Sequence, residues 1–84
     1  MKLIDTQGNV TDINATTLGE CRALVGGYIA VINVGDGALL VDEDGLPRRL
    51  TFNEKASQLA GLTLVGKVVH LESKSEYRQV LGGN

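Results

Sequence analysis

Cysteine, histidine and aromatic residues are scarce in this chain. Its 84 residues include one cysteine, one histidine, two tyrosines, one phenylalanine and no tryptophan. A single cysteine excludes an intrachain disulfide and a four-cysteine zinc site, and it is typical of proteins in a reducing cytoplasm. Three aromatic residues give little support for a stacking platform that would bind single-stranded nucleic acid.

A basic excess and long apolar runs are missing as well. The chain has 8 Lys and Arg residues against 10 Asp and Glu residues, a net charge of -2, and this balance disfavours a general DNA-binding protein. No apolar run approaches the roughly 20 residues that cross a bilayer, and Asp5 interrupts the N-terminus before a signal peptide could form. We therefore expect a soluble protein of the cytoplasm that has no membrane partner and does not bind nucleic acid.

What is present is organised around one stretch, GGYIAVINVGDGALLVDEDGLP. In it the predicted strands Tyr28–Val34 and Ala38–Asp42, the second apolar as far as Val41, flank the turn Gly35–Gly37. Two such runs joined by a short glycine-rich connection predict a β-hairpin. A second turn at Glu43–Gly45 predicts a third strand that starts near Leu46.

Both faces of the predicted hairpin carry apolar side chains, because side chains along a strand alternate between the two faces. A hairpin with one wet face would alternate apolar and polar residues more cleanly. The second face needs a cover, either the chain's own helices or another subunit. Since two short helices can hardly cover both faces, we expect a homo-oligomer. We also expect burial of six hairpin residues: Ile29, Val31, Ile32, Leu39, Leu40 and Val41.

Two short helices have recognisable starts. Thr17 and Glu20 match a capping box, in which each residue satisfies a free amide of the other, at the start of a helix over Leu18–Val25. Asn53 is a good N-cap for a second helix over Glu54–Ala60. A glycine follows each predicted helix, as is common at helix ends.

The two ends of the chain are less regular. Lys2–Asp5 and Val10–Ile13 predict a small N-terminal hairpin. Leu62–Glu72 is a β-rich run with a turn or bulge at Gly66–Lys67. Ser75–Leu81 is compatible with a short helix or with an added strand, and the pattern does not choose between them.

These elements predict an α+β fold, a small and mostly antiparallel sheet around a central β-hairpin with two short helices. The length indicates a single domain over residues 1–84, in which 72–84 form a C-terminal extension. The core of so small a domain stabilises it by only about 3–5 kcal/mol, which makes self-association more attractive.

No set of residues in the sequence assembles an active site. Cys21 falls on the apolar face of the first helix, where a free cysteine behaves as a small hydrophobe. His70 falls on a strand and has no partner for a zinc site. Since no nucleophile and base can be paired, we expect a non-enzymatic protein without catalytic residues, metal or cofactor.

Arg48 and Arg49 are the best candidates for binding a ligand. On a strand, neighbouring side chains face opposite ways, so at most one arginine would lie beside the helix that Asn53 opens. An arginine beside free helix amides makes an anion site, suited to a nucleotide phosphate. The alternative is two solvated arginines that shield an edge strand. Tyr28 completes the candidate ligand-binding set, although a position in the core is expected for it.

Four motifs occur in a recognisable order: GGYI, DG-x-LLV-x-E-x-G, L-x-x-N-x-x-A and LVG-x-VV. In this order they resemble a small domain family of unknown function that is encoded mostly by bacteriophages, plasmids and other mobile elements of bacteria. The resemblance covers residues 2–71 and stops before Ser73. Family members usually have a proline near Thr51 or Phe52, and this chain has none there.

The resemblance implies a genetic context and no established activity. Small phage proteins of this size often act by binding. Our first expectation is therefore a non-enzymatic phage or mobile-element accessory protein that binds a host partner in the bacterial cytoplasm, with an anti-defence role. The alternative is a protein that binds or sequesters a small anionic nucleotide.

Overall fold

Five short strands form one antiparallel sheet in the computed structural model, which describes residues 1–82. In chain order they are β1 Lys2–Ile4, β2 Val10–Asp12, β3 Ile29–Val34, β4 Gly37–Asp42 and β5 Val68–Leu71. Their order across the sheet is β2-β1-β5-β4-β3, so β2 and β3 are the edges. Residues 83 and 84, at the end of the predicted extension, lie outside the described part of the chain.

The central hairpin is confirmed, with a tighter turn than predicted. β3 and β4 pair from Ile29 opposite Asp42 to Val34 opposite Gly37, so the loop has two residues. Its first residue, Gly35, has a φ of 57°, which glycine adopts without steric cost. Gly37 belongs to the strand, and a Cβ there would lie 1.8 Å from the Leu71 carbonyl oxygen. Only glycine at position 37 allows the start of β4 to lie this close to the Leu71 carbonyl at the end of β5.

Both predicted helices are confirmed, and a third is present in the described part of the chain. They are α1 Leu18–Val25, α2 Glu54–Ala60 and α3 Lys74–Leu81. The Thr17 hydroxyl accepts a hydrogen bond from the Glu20 amide at the start of α1, as the capping box requires. The stretch that was compatible with helix or strand is thus a helix.

The helices lie on both faces of the sheet. α1 and α3 pack on one face over a core formed by Ala15, Cys21, Val25, Leu40, Val69, Leu71 and Val80. α2 and the loop that follows it cover the other face over a second core formed by Ile4, Leu39, Val41, Ala56, Leu64 and Val68. α3 therefore supplies part of the cover for which another subunit was expected.

Burial of the hairpin is uneven. Every residue of β4 is buried, as expected for Leu39, Leu40 and Val41, because β4 lies between β3 and β5. On β3 the expectation for Val31 is wrong, since Val31 is 42% exposed. Ile29 and Ile32 are only half-buried. Both strands are equally apolar, so the pattern could not tell the edge strand from the interior one.

The predicted third strand near Leu46 is wrong. Residues 43–49 form a chain of turns, closed by a hydrogen bond from the Leu50 amide to the Gly45 carbonyl. Arg49 has a φ of 55°, so this segment is not extended and the two arginines do not alternate across a sheet. The predicted N-terminal hairpin is present, with β1 paired to β2.

Candidate functional site

Arg48 is held in an ion pair at the end of the hairpin. Its Nη1 lies 2.5 Å from Asp42 Oδ2 and 3.3 Å from the Gly26 carbonyl oxygen. The Asp42 side chain is buried, whereas Arg48 is about half exposed. A Cβ on Gly27 would lie 2.9 Å from Asp42 Oδ2, so glycine there leaves room for the pair. The guanidinium thus connects the turn segment, residues 43–49, to the corner after α1, formed by Gly26 and Gly27.

Asn53 is fully buried and its side chain is committed to the fold. Its Oδ1 accepts from the Ala56 amide at 3.0 Å, which confirms the predicted N-cap of α2. Its Nδ2 donates to the Ile4 carbonyl at 3.0 Å and to the Gly66 carbonyl at 2.8 Å. All three bonds link parts of the chain to one another, and they leave no donor of this side chain for a ligand.

Tyr28 is at the surface, so its expected place in the core is wrong. The side chain is 67% exposed, and the guanidinium carbon of Arg22 lies 5.5 Å from the centre of its ring. This is the geometry of a cation–π contact. Tyr28 also follows Gly27 directly, so it lies near the corner that Arg48 holds.

The four predicted ligand-binding residues do not form one cluster. Arg48 and Tyr28 flank the same corner, and Arg49 is exposed on the turn segment. Asn53 lies in the core, and no hydrogen bond within residues 1–82 joins it to the other three. The geometry therefore offers an arginine near a tyrosine rather than an arginine beside a free helix start.

The cysteine and the histidine, two residue types often used for catalysis, lie in ordinary structural positions. Cys21 is buried, and this burial raises the pKa of its thiol, which favours the unreactive protonated form. His70 is half-buried on β5, opposite Lys2 on one side and Leu39 on the other. Among the described residues, no three His, Cys, Asp or Glu side chains are grouped to hold a metal ion.

No helix in this part of the chain has the length and apolar character needed to cross a membrane.

An apolar groove of about 230 Å³ lies on the α2 face of the sheet, beside β3. The sheet forms its floor, the turn segment forms one wall and the loop before β5 forms the other. The apolar residues that line it are Ala30, Val41, Leu46, Pro47, Leu64 and Val65. Two carboxylates also line the groove, Asp42, which is paired with Arg48, and Glu43.

Large apolar side chains are exposed around this groove. Leu46, Leu62 and Phe52 are between 51% and 65% exposed. Phe52 forms an isolated antiparallel bridge with Val65, and directly opposite residues project to the same side, so Phe52 lies next to the groove wall. Leu62 comes directly before Thr63, which lines the groove. We call this region, formed by Leu46, Phe52, Leu62 and Val65, the groove surface.

Sequence reasoning missed the groove surface. Leu46 was predicted to start a strand, which would have buried it, and Phe52, Leu62 and Val65 were not among the candidate residues. The available signal was the number of large apolar residues between positions 46 and 62, a segment whose only helix is the short α2. A loop-rich segment with this many apolar residues cannot bury all of them.

Comparison with known proteins gives one family and no named relative. The chain matches no curated protein and no solved structure. A family model described as a domain of unknown function, DUF3846, matches residues 3–81. The match runs well past residue 71, where the motif resemblance stopped, so α3 lies within it. Because the match covers nearly the whole chain, the protein belongs to the DUF3846 family.

Proposed function

We propose that this protein is a non-enzymatic accessory protein of a bacteriophage or mobile element, which binds a host protein in the bacterial cytoplasm and counters a host defence. The observation that carries the binding part is the groove surface. The genetic context and the anti-defence role rest on the motif resemblance, within a family that has no assigned activity.

Exposed apolar area gives the groove surface its capacity to bind. Full burial of one Leu or Phe side chain contributes about 1.5–3 kcal/mol, and contiguous exposed apolar patches mark interaction sites on small proteins. Leu46, Phe52 and Leu62 remain more than half exposed although the rest of this sheet face is covered. A partner that covers these three side chains would bury the apolar area that the fold leaves exposed to water.

The charge at the groove indicates the chemistry of the partner. Glu43 lines the groove and Asp44 follows it, both exposed, and neither forms an ion pair within residues 1–82. An apolar segment flanked by Lys or Arg fits such a site, since its side chains fill the groove while its cations meet the carboxylates. The proposed partner is therefore a host protein that presents an apolar segment with basic flanks.

Variants that introduce a charge test the proposal. Phe52→Glu and Leu46→Glu place a carboxylate on the groove surface. Val10→Glu makes the same change at a residue that is 46% exposed on β2, at the opposite edge of the sheet. The host protein captured by the wild type is identified, purified and titrated against each variant by calorimetry. We expect Val10→Glu to bind like the wild type and each groove variant to bind at least tenfold more weakly.

A captured protein that lacks an apolar, basic-flanked segment would contradict the proposal, as would groove variants that bind like Val10→Glu. Circular dichroism of each variant separates a loss of binding from a loss of folding.

The alternative function, sequestration of a small anionic nucleotide, has less support. Arg48 is already paired with Asp42, and the Asn53 side chain is used within the core. Of the two candidate arginines, only Arg49 extends into solvent without an ion pair among the described residues. Calorimetry against cyclic and linear nucleotides tests this alternative, and binding that Arg49→Ala abolishes would restore it.

A further inference from the structure

The outer edge of β3 is unusually open for a natural sheet. Edge strands are commonly protected by charged residues, proline, bulges or very short length. β2, at the other edge, has three residues and an ion pair between Asp12 and Lys2. β3 has six residues, IAVINV, with no charge and no proline, and Val31 in its middle is 42% exposed. This edge can accept another strand.

The hydrogen-bonding pattern shows which backbone groups are free. The Tyr28 carbonyl accepts from the Glu43 amide at 2.9 Å, which makes this pair hydrogen-bonded. In an antiparallel ladder, hydrogen-bonded pairs alternate with non-bonded pairs, so Ala30, Ile32 and Val34 bond to β4. The remaining residues, Ile29, Val31 and Asn33, therefore direct their amides and carbonyls outward, away from β4.

We propose that the occupant of this edge is a second copy of the same chain, paired antiparallel through β3 with Val31 on the two-fold axis. In this register Val31 bonds to the partner's Val31, and Ile29 bonds to the partner's Asn33. Each of the three pairs exchanges two hydrogen bonds, about six in total. The two sheets become one continuous sheet across the dimer.

Side-chain chemistry favours a copy of this chain over an unrelated strand. The register places Val31 against the partner's Val31 on the α1 face, and Ala30 against the partner's Ile32 on the other face. Tyr28 meets the partner's Val34. No charged residue lies within the paired segment, so antiparallel self-pairing brings no like charges together.

Charges at the two ends of the strand are complementary in the same register. Arg22 lies over the Tyr28 ring at the start of β3, and Asp36 lies in the turn at its end. Neither forms an ion pair within residues 1–82. Since antiparallel pairing brings the start of one strand to the end of the other, each Arg22 comes close to the partner's Asp36.

The paired edge and the groove surface share no residue, although Ala30 of β3 both lines the groove and pairs with the partner's Ile32. Val31 faces the α1 side of the sheet, because it lies opposite Leu40 in the α1 core, whereas the groove opens on the α2 side. A two-fold axis perpendicular to the sheet leaves both grooves on one face of the dimer. The inference thus goes beyond the proposed function and does not depend on it.

Cysteine pairing tests the register directly. Opposite Cα atoms in a hydrogen-bonded antiparallel pair are about 5.5 Å apart, within the range of about 4.4–6.8 Å that a disulfide spans. We expect Val31→Cys to form a covalent dimer under mild oxidation. The native Cys21 is buried, so the wild type serves as the background control.

Asn33→Cys is the matched control. In the proposed register it lies four residues from the same position on the partner, roughly 13 Å along the strand, and should stay monomeric on a non-reducing gel. Ile29→Cys combined with Asn33→Cys should again form the covalent dimer. If Asn33→Cys alone cross-links as fast as Val31→Cys, or if Val31→Cys does not cross-link, the proposed pairing is wrong.

The strength of self-association, measured on chains without engineered cysteines, provides a second test. Val31→Lys places two like charges at the axis, whereas Val10→Lys adds the same charge at a similarly exposed residue of β2. Sedimentation equilibrium should show a dimer for the wild type and for Val10→Lys, with at least tenfold weaker association for Val31→Lys. A wild-type chain that is monomeric at tens of micromolar would overturn the inference.

Discussion

Asn53 connects three segments of the chain through one side chain. Its carbonyl oxygen caps α2, while its amide nitrogen donates to a carbonyl at the end of β1 and to another just before β5. Asparagine suits this position because it combines an acceptor with two donors. Aspartate would lose the donors, and serine would offer only one. A residue identified by its capping propensity thus has a larger role in tertiary structure.

The first prediction concerns this residue. Asn53→Ala removes the cap and leaves the Ile4 and Gly66 carbonyls unsatisfied in the core, so we expect a loss of about 2–4 kcal/mol in the free energy of unfolding. Thr17→Ala is the control, since it removes the exposed cap of α1 alone and should cost about 1 kcal/mol. Urea unfolding measures both variants. Equal losses would mean that the bonds from Asn53 to Ile4 and Gly66 contribute nothing.

At the level of elements, the central hairpin has two unequal strands. β4 is covered by a strand on each side and by helices on both faces, while β3 has a neighbour on one side only. Ile32 and Leu39 lie directly opposite each other in the ladder and differ mainly in this respect. Burial, and not residue type, sets what each contributes.

We predict that Leu39→Ala costs about 2–5 kcal/mol, as expected for a fully buried aliphatic side chain. Ile32→Ala should cost clearly less, because Ile32 is half-buried and its truncation leaves a site that water can reach. Urea unfolding is to be measured well below the concentration at which the chain associates. A loss for Ile32→Ala as large as that for Leu39→Ala would place β3 in the interior of the protein.

α3 is attached to the start of β1 by charge as well as by packing. The Met1 amino group lies 2.5 Å from Glu76 Oε2 and 3.3 Å from Glu72 Oε1, and its hydrogen bond to Glu76 is partly buried. The hydrogen bond to Glu76 raises the pKa of the amino group, and the hydrogen bond from the amino group lowers the pKa of Glu76. The pair is strongest when both groups are charged.

This pair predicts how stability depends on pH. The Glu76 contribution is complete above the ordinary carboxyl pKa of about 4.3 and is lost as the pH falls through its lowered folded value. The amino-group contribution is complete below its ordinary pKa of about 8 and is lost as the pH rises through its raised folded value. Between these limits the ion pair contributes fully.

Glu76→Gln should therefore reduce the free energy of unfolding most between about pH 5 and pH 8, with a smaller difference from wild type at either extreme. Glu54→Gln makes the same charge change at an exposed site without an ion pair in the described chain, and it serves as the matched control. Urea unfolding across a pH series compares the two. A Glu76→Gln effect that is independent of pH would rule out the ion pair.

At the scale of the whole molecule, the sheet separates two proposed binding surfaces. The groove surface opens on the α2 face, and the β3 edge extends the sheet sideways. Dimerisation through the edge would present two grooves in the same direction, so that one dimer could bind two copies of a host protein or two segments of one. Linking two sites in this way raises overall affinity without any new contact.

Signals between neighbouring residues are sufficient to specify the local structure of this chain. The turn at Gly35 and the apolar runs on either side specify the hairpin, and Thr17 and Asn53 specify where α1 and α2 begin. These signals act between residues a few positions apart, so they can be identified without knowing the rest of the fold. The α+β class followed from them.

Which apolar residues are exposed, and which candidate residues are free to bind a ligand, depends on how the elements assemble. Strand order made β3 an edge and exposed Val31. The path of the turn segment brought Arg48 to Asp42, and strand pairing brought Asn53 to Ile4, 49 positions away. Contacts between distant residues depend on how the elements assemble, and local patterns carry no information about that assembly.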